Sequence, residues 1–223
     1  MKHFFCVFLF LFSLVNYAQK DSLQLGDRYS EDQLYLSVTY AQLFNQPKQI
    51  SRSGFSYALS AGFLKDFILN KQGNFSFAVG FGYGFDFFNH QLNVQENNGI
   101  TTFDTSKNLT SNTFSSHNLE FPLEIRWRTS TAKKYDFWRV YSGVKILYNL
   151  SNTFSFTENE TTFESKNVTA YRKLQYGLTL SAGYDEFNIH IFYNLTPIFE
   201  DSSIGNEAID TSTLKFGFIF YLL

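Results

Sequence analysis

Eight stretches alternate apolar with small or polar residues, no apolar run is long enough for a membrane helix, and the connections are alternately long and short. Together these features predict an all-β chain folded as an eight-stranded antiparallel up-and-down transmembrane β-barrel. Side chains leave a strand to opposite sides with period two, so each stretch presents one apolar face. What tells lipid from a protein core is the other face. It carries Glu, Arg and Lys in mid-strand, which a soluble core rarely buries, so the apolar face is expected to meet lipid.

The first stretch sets Leu34, Leu36, Val38 and Tyr40 against Tyr35, Ser37, Thr39 and Ala41. In the second, Phe55, Tyr57, Leu59, Ala61 and Phe63 alternate with Ser56, Ala58, Ser60 and Gly62. The third is the most regular, with Phe75, Phe77, Val79, Phe81, Tyr83, Phe85 and Phe87 on one side and Ser76, Ala78, Gly80, Gly82, Gly84 and Asp86 on the other. The fourth runs from Asn118 to Arg128, the fifth from Arg139 to Asn149, the sixth from Leu174 to Tyr184, the seventh from Phe187 to Thr196 and the eighth from Leu214 to Leu222. Each is close to the roughly 9–11 residues that a tilted membrane strand needs.

Residues 1–18 read as a signal peptide: Lys2 and His3, an apolar run from Phe4 to Val15, then "NYA" before Gln19. That leaves 19–223 as one outer-membrane barrel domain. The single cysteine, Cys6, falls in the signal segment, so no disulfide, cysteine metal site or cysteine nucleophile is expected. A formal net charge of -2 without a long basic run argues against nucleic acid as a partner.

The links "NQPKQISRS", Asn89 to Ser116, "TENETTFESKN" and "EDSSIGNEAIDTS" are long, whereas "NKQGN", "TSTAKKYD" and Asp185-Glu186 are short. Outer-membrane barrels have short periplasmic turns and longer extracellular loops, so the long links are expected outside the cell, with both termini periplasmic. The N-x-S/T tripeptides at Asn108 and Asn167 then read as polar loop composition.

Several motifs invite sharper readings. "GFGYG" is not a dinucleotide fingerprint, because that motif sits at a strand-to-helix turn and these glycines lie within a strand. They are expected beside Glu120, Glu124 and Arg126 of the next strand, where missing side chains leave room for long ones. His190 is expected to be a hydrogen-bonded interior residue, since a lipid-modifying enzyme must present its reacting groups to the lipid. No catalytic, cofactor-binding or metal-ligating residue is assigned. The most informative constellation is the set of inward charges Asp86, Glu120, Glu124, Arg126, Arg128, Arg139 and Lys145, with Lys173 and Lys215 beside them. An eight-stranded interior is just wide enough for side chains to fill, and unpaired buried charge is costly, so these groups are expected to form a structural network of opposite charges. Pro122 cannot donate to a ladder, and a bulge or a position near the barrel mouth is expected there.

The stretch from Leu119 to Tyr148, with Glu120, Pro122, Leu123, Tyr141 and Gly143, resembles the outer-membrane β-barrel family of Bacteroidota often labelled PorT-like, a porin-family barrel. That resemblance implies a link to protein secretion. The resulting expectation is a non-enzymatic structural or adaptor component of the outer membrane with a side-chain-plugged lumen. Its partners would be outer-membrane lipid and a protein met at the extracellular loops. A small passive channel is the alternative, and a lipid-modifying enzyme stands behind that.

Overall fold

Hydrocarbon offers no hydrogen bonds to a backbone, so a sheet that crosses it must close on itself. The computed structural model describes residues 32–48, 50, 54–105, 109–129, 138–185 and 187–222, and shows that closure. The predicted signal peptide, most of the link "TSTAKKYD" and Glu186 lie outside the described residues. The described residues form thirteen strands: β1 (Gln33–Phe44), β2 (Tyr57–Ile68), β3 (Phe75–Asn89), β4 (Asn93–Asn97), β5 (Ile100–Asp104), β6 (Leu109–Arg128), β7 (Trp138–Glu158), β8 (Thr161–Lys166), β9 (Leu174–Tyr184), β10 (Phe187–Asn194), β11 (Ser203–Ile204), β12 (Glu207–Ala208) and β13 (Ser212–Leu222). Eight of them make the wall, in the order β1, β2, β3, β6, β7, β9, β10, β13, and β13 pairs back onto β1 from Leu34↔Leu222 to Phe44↔Ser212.

The faces are as alternation predicts. Along β3 the Phe and Tyr series points outward and Ser76, Ala78 and Asp86 are buried inside. Trp127, Trp138, Tyr184 and Phe187 stand exposed at the short-turn end, and Tyr83, Tyr148, Tyr176 and Tyr193 at the other, as aromatic girdles do at the two membrane borders.

The long links hold more structure than polar composition suggests. Asn89 to Ser116 is not a loop: it contains the β4–β5 hairpin and the first part of β6. Ser116 itself is fully buried within β6. β6 and β7 run 20 and 21 residues, longer than a bilayer requires, and β8 pairs with the far end of β7.

Where β6 and β7 leave the membrane their polarity inverts. Below the border β7 turns Val144, Tyr148 and Leu150 outward and Lys145 and Asn149 inward; above it, Asn152, Phe154 and Phe156 are buried and Ser151, Thr153 and Ser155 face out. The sequence period alone would keep Phe154 and Phe156 on the lipid face. A bulge resets it: His117↔Ser151 is followed by Asn118↔Asn149, leaving Leu150 unopposed, and one extra residue moves every later side chain to the other face. Phe154 then joins Leu43, Phe88, Val94, Val168, Ile198, Phe199 and Ile209 in an apolar cap across the long-link end, while Phe156 stacks on Phe163 of β8. Phe88, Phe114 and Phe154 stack in series at 4.6 and 4.8 Å between centroids.

Pro122 departs from expectation. The bulge lies elsewhere, and Pro122 sits inside the wall opposite Lys145 of β7. On its other side the β3–β6 ladder keeps one register from Val79↔Leu123 to Gly82↔Glu120 and skips only the rungs between. A Cβ on Gly80 would come within 2.9 Å of the proline ring, so the glycine admits a residue that cannot complete the ladder.

Phe81 lies at the centre of the outward series, so Phe81→Arg should cost about 2–4 kcal/mol, the penalty of a charge near the midplane. Ser111→Arg, on the exposed polar face of β6, should stay within about 0.5 kcal/mol. Urea midpoints of the two variants, together with the fraction that migrates as folded barrel on an unboiled gel, check the assignment of faces.

Candidate functional site: the charged lumen

Among the described residues four carboxylates, Asp66, Asp86, Glu120 and Glu124, and five cations, Arg126, Arg128, Arg139, Lys145 and Lys215, are buried in the barrel interior. Strand alternation aims each one inward, and the register sorts them into tiers. Nearest the short-turn end, Arg128 donates to Asp66 Oδ2 at 3.0 Å and to the Gly73 carbonyl at 3.0 Å. Arg126 donates from Nε to Glu124 Oε2 at 3.0 Å, and its Nη1 lies 3.7 Å from Asp66 Oδ1. The Arg126 guanidinium packs over Tyr141 at 4.6 Å and Tyr221 at 5.6 Å, and Arg139 lies over Tyr221 at 5.8 Å.

The middle tier centres on Glu120, whose Oε2 accepts Lys145 Nζ at 2.8 Å and the Tyr35 hydroxyl at 3.1 Å. Above it Asp86 accepts Lys215 Nζ at 2.6 Å, Asn118 at 3.2 Å and Ser116 at 3.4 Å. Phe192 lies under both ammonium groups, 5.9 Å from Lys145 and 5.3 Å from Lys215. His190 shares a 2.7 Å hydrogen bond with Ser181 inside the barrel. Lys173, expected inside, is instead exposed at the head of β9.

Asp66 and Tyr35 complete this network, and sequence reading missed both. Ending the second strand at Phe63 hid Asp66, although Ser60, Gly62, Leu64 and Asp66 continue the inward series. Tyr35 reaches Glu120 only because β2 and β3 carry glycine beneath its ring. A Cβ on Gly82 would collide with the Tyr35 hydroxyl, and one on Gly62 would come within 2.6 Å of the ring. Gly84 makes room for Glu120 in the same way, at 2.6 Å from Oε1. The glycines therefore serve Tyr35 and Glu120, with Gly80 serving Pro122, whereas Glu124 and Arg126 pair opposite Ala78 and Ser76.

What remains open in the middle of the lumen is small. A void of about 10 Å³ lies among Ser37, Ser60, Asp86, Glu120, Lys145 and Lys215, room for about one water molecule. Toward the long-link end, Asn118, Asn149 and Asn152 form a hydrogen-bonded chain that hands on to the Val168 backbone, and the apolar cap follows. In the cap the His90 ring stands edge-on to Phe114 and Phe154. Burial there brings its pKa down to about 3 against an opposing hydrogen bond with the Thr113 backbone, so the imidazole is neutral. Burial likewise pushes the Tyr171 hydroxyl up to about 12. Among the described residues no group of three or more His, Cys, Asp or Glu is arranged to hold a metal ion.

An apolar belt around a closed sheet with a paired, charged interior defines a transmembrane β-barrel of the outer membrane. Residues 17–200 match the family model described as outer membrane protein beta-barrel domain, and the chain belongs to that family. The match runs through seven of the eight wall strands, from β1 to β10. No curated protein matches the chain.

Two variants probe this interior. Glu120→Ala strands the Lys145 ammonium and should cost about 3–5 kcal/mol, the usual penalty for breaking a buried pair. Glu200→Ala breaks the half-exposed contact with Arg172 at 3.7 Å and should cost about 0–1 kcal/mol. Chemical denaturation of both reads the difference. Gly82→Ala should cost about 1–3 kcal/mol by overpacking, and Tyr35→Phe in the same chain should recover part of it, because the tightest of the clashes is with the hydroxyl.

Proposed function

We propose that the protein is a non-enzymatic structural or adaptor component of the outer membrane whose lumen is plugged by its own side chains. Residues 1–18 direct export and are removed, and the long links face outside the cell, where a protein partner is met. The observation that carries this reading is the 10 Å³ void at the centre of the barrel, because a conducting path needs continuous water. The ion pairs support it further: Asp86, Glu120 and Glu124 are each engaged by a cation and so are occupied in holding the interior together. In this reading Asp86, Glu120, Glu124, Arg126, Arg128, Arg139 and Lys145 are structural residues. The likeness of Leu119–Tyr148 to the PorT-like barrels of Bacteroidota supports a place beside protein secretion.

Planar-bilayer recording decides between scaffold and channel. The wild-type protein should show no steady single-channel current in salt of any cation. Reproducible, charge-selective conductance would overturn the plugged scaffold and establish a small channel.

A further inference from the structure

β7 loses its wall neighbour before it ends. Its pairing with β9 stops at Tyr148↔Leu174, and its pairing with β8 begins only at Thr153↔Lys166. Between these points that edge of the strand, the one away from β6, is held by two backbone hydrogen bonds, Asn149 N–H to the Lys173 carbonyl and Asn167 N–H to the Asn152 carbonyl, both 2.8 Å. The bulged Leu150 therefore borders a gap in the wall. That gap is a cleft of about 560 Å³ with Tyr148, Leu150, Asn167, Thr169 and Lys173 in its lining and buried Tyr171 behind them. Its size falls within the range of roughly 300–1,000 Å³ common to small-molecule sites.

The two rims differ in chemistry. Tyr148 and Leu150 are exposed on the lipid side, while Asn167, Thr169 and Lys173 lie on the other. The Lys173 ammonium makes no ion pair among the described residues and is exposed. The Thr169 hydroxyl is already given to Glu96 at 3.1 Å, which leaves Lys173 and the Asn167 amide as the free donors. The cleft also sits at the height where β7 exchanges an outward Leu150 for an outward Ser151 and Thr153, the level of headgroups in a bilayer.

We propose that this cleft binds a phosphate-bearing membrane lipid, its acyl chain along Tyr148 and Leu150 and its phosphate on Lys173 and Asn167. A lysine at the rim suits phosphate as a point charge, and long basic side chains near a membrane border reach toward headgroups. A soluble anion would use only the polar rim and leave the apolar one against hydrocarbon, so the occupant is a lipid.

Native mass spectrometry of the barrel in detergent, titrated with phosphatidylglycerol, tests this. The wild type should retain one lipid. Lys173→Gln should lower retention about fivefold, the effect of one lysine at an anionic surface. Lys173→Arg should keep retention, and Lys71→Gln, at the opposite end, should leave it unchanged. Leu150→Asn should weaken retention through the apolar rim, and excess inorganic phosphate should not displace the lipid. Equal retention by the wild type and Lys173→Gln, or displacement by inorganic phosphate alone, would overturn the proposal. All four variants alter exposed side chains, and heat-modified gel migration confirms that each is folded.

Discussion

The antiparallel register that joins β1 to β13 removes the only sheet edges the wall would otherwise have in lipid, and the rest of the structure follows from the width this closure fixes. With eight strands the interior has space for one layer of side chains, so each inward residue must fit its neighbours in volume and in charge. Tyr35 fits because Gly62 and Gly82 stand beneath it. Glu120 fits because Gly84 does the same, and its charge is acceptable because Lys145 and Tyr35 both donate to it. Removing water from such pairs is expensive, and good geometry with full hydrogen bonding is what offsets that cost.

The tiers also divide labour along the axis. Arginines, with planar groups able to stack and to pair at once, crowd the short-turn end around Tyr141 and Tyr221. Lysines hold the middle over Phe192, asparagines follow, and the cap is apolar. Polarity inside the barrel thus declines toward the long-link end, while outside it rises.

Much of the wall was legible because lipid on the outside makes every second residue apolar, a demand strong enough to show through in β1, β3, β9 and β13. The inward charges of β6 and β7 were legible for the same reason. Their partners were not: pairing depends on register across strands, and Asp86 meets Lys215, far away in sequence, instead of a charge on β7. Asp66 lies beyond the Phe63 end of the second predicted stretch, two steps further along the inward series than Gly62. Phe154 and Phe156 were hidden by a single extra residue, since a bulge leaves no mark on composition. The cap escaped notice because its members, such as Val94, Val168, Ile204 and Ile209, are scattered singly through links rich in Asn, Thr and Ser.

The inversion at Leu150 fixes how deep the molecule sits. A uniform barrel could slide along its axis with little change in which groups meet oil and which meet water. Here a shift inward by one residue pair would draw Ser151 and Thr153 into hydrocarbon, and a shift outward would lift Tyr148 and Leu150 into water. Both moves are uphill, so the bulge works as a vertical stop, and the hairpins above it are held at a constant height over the bilayer surface.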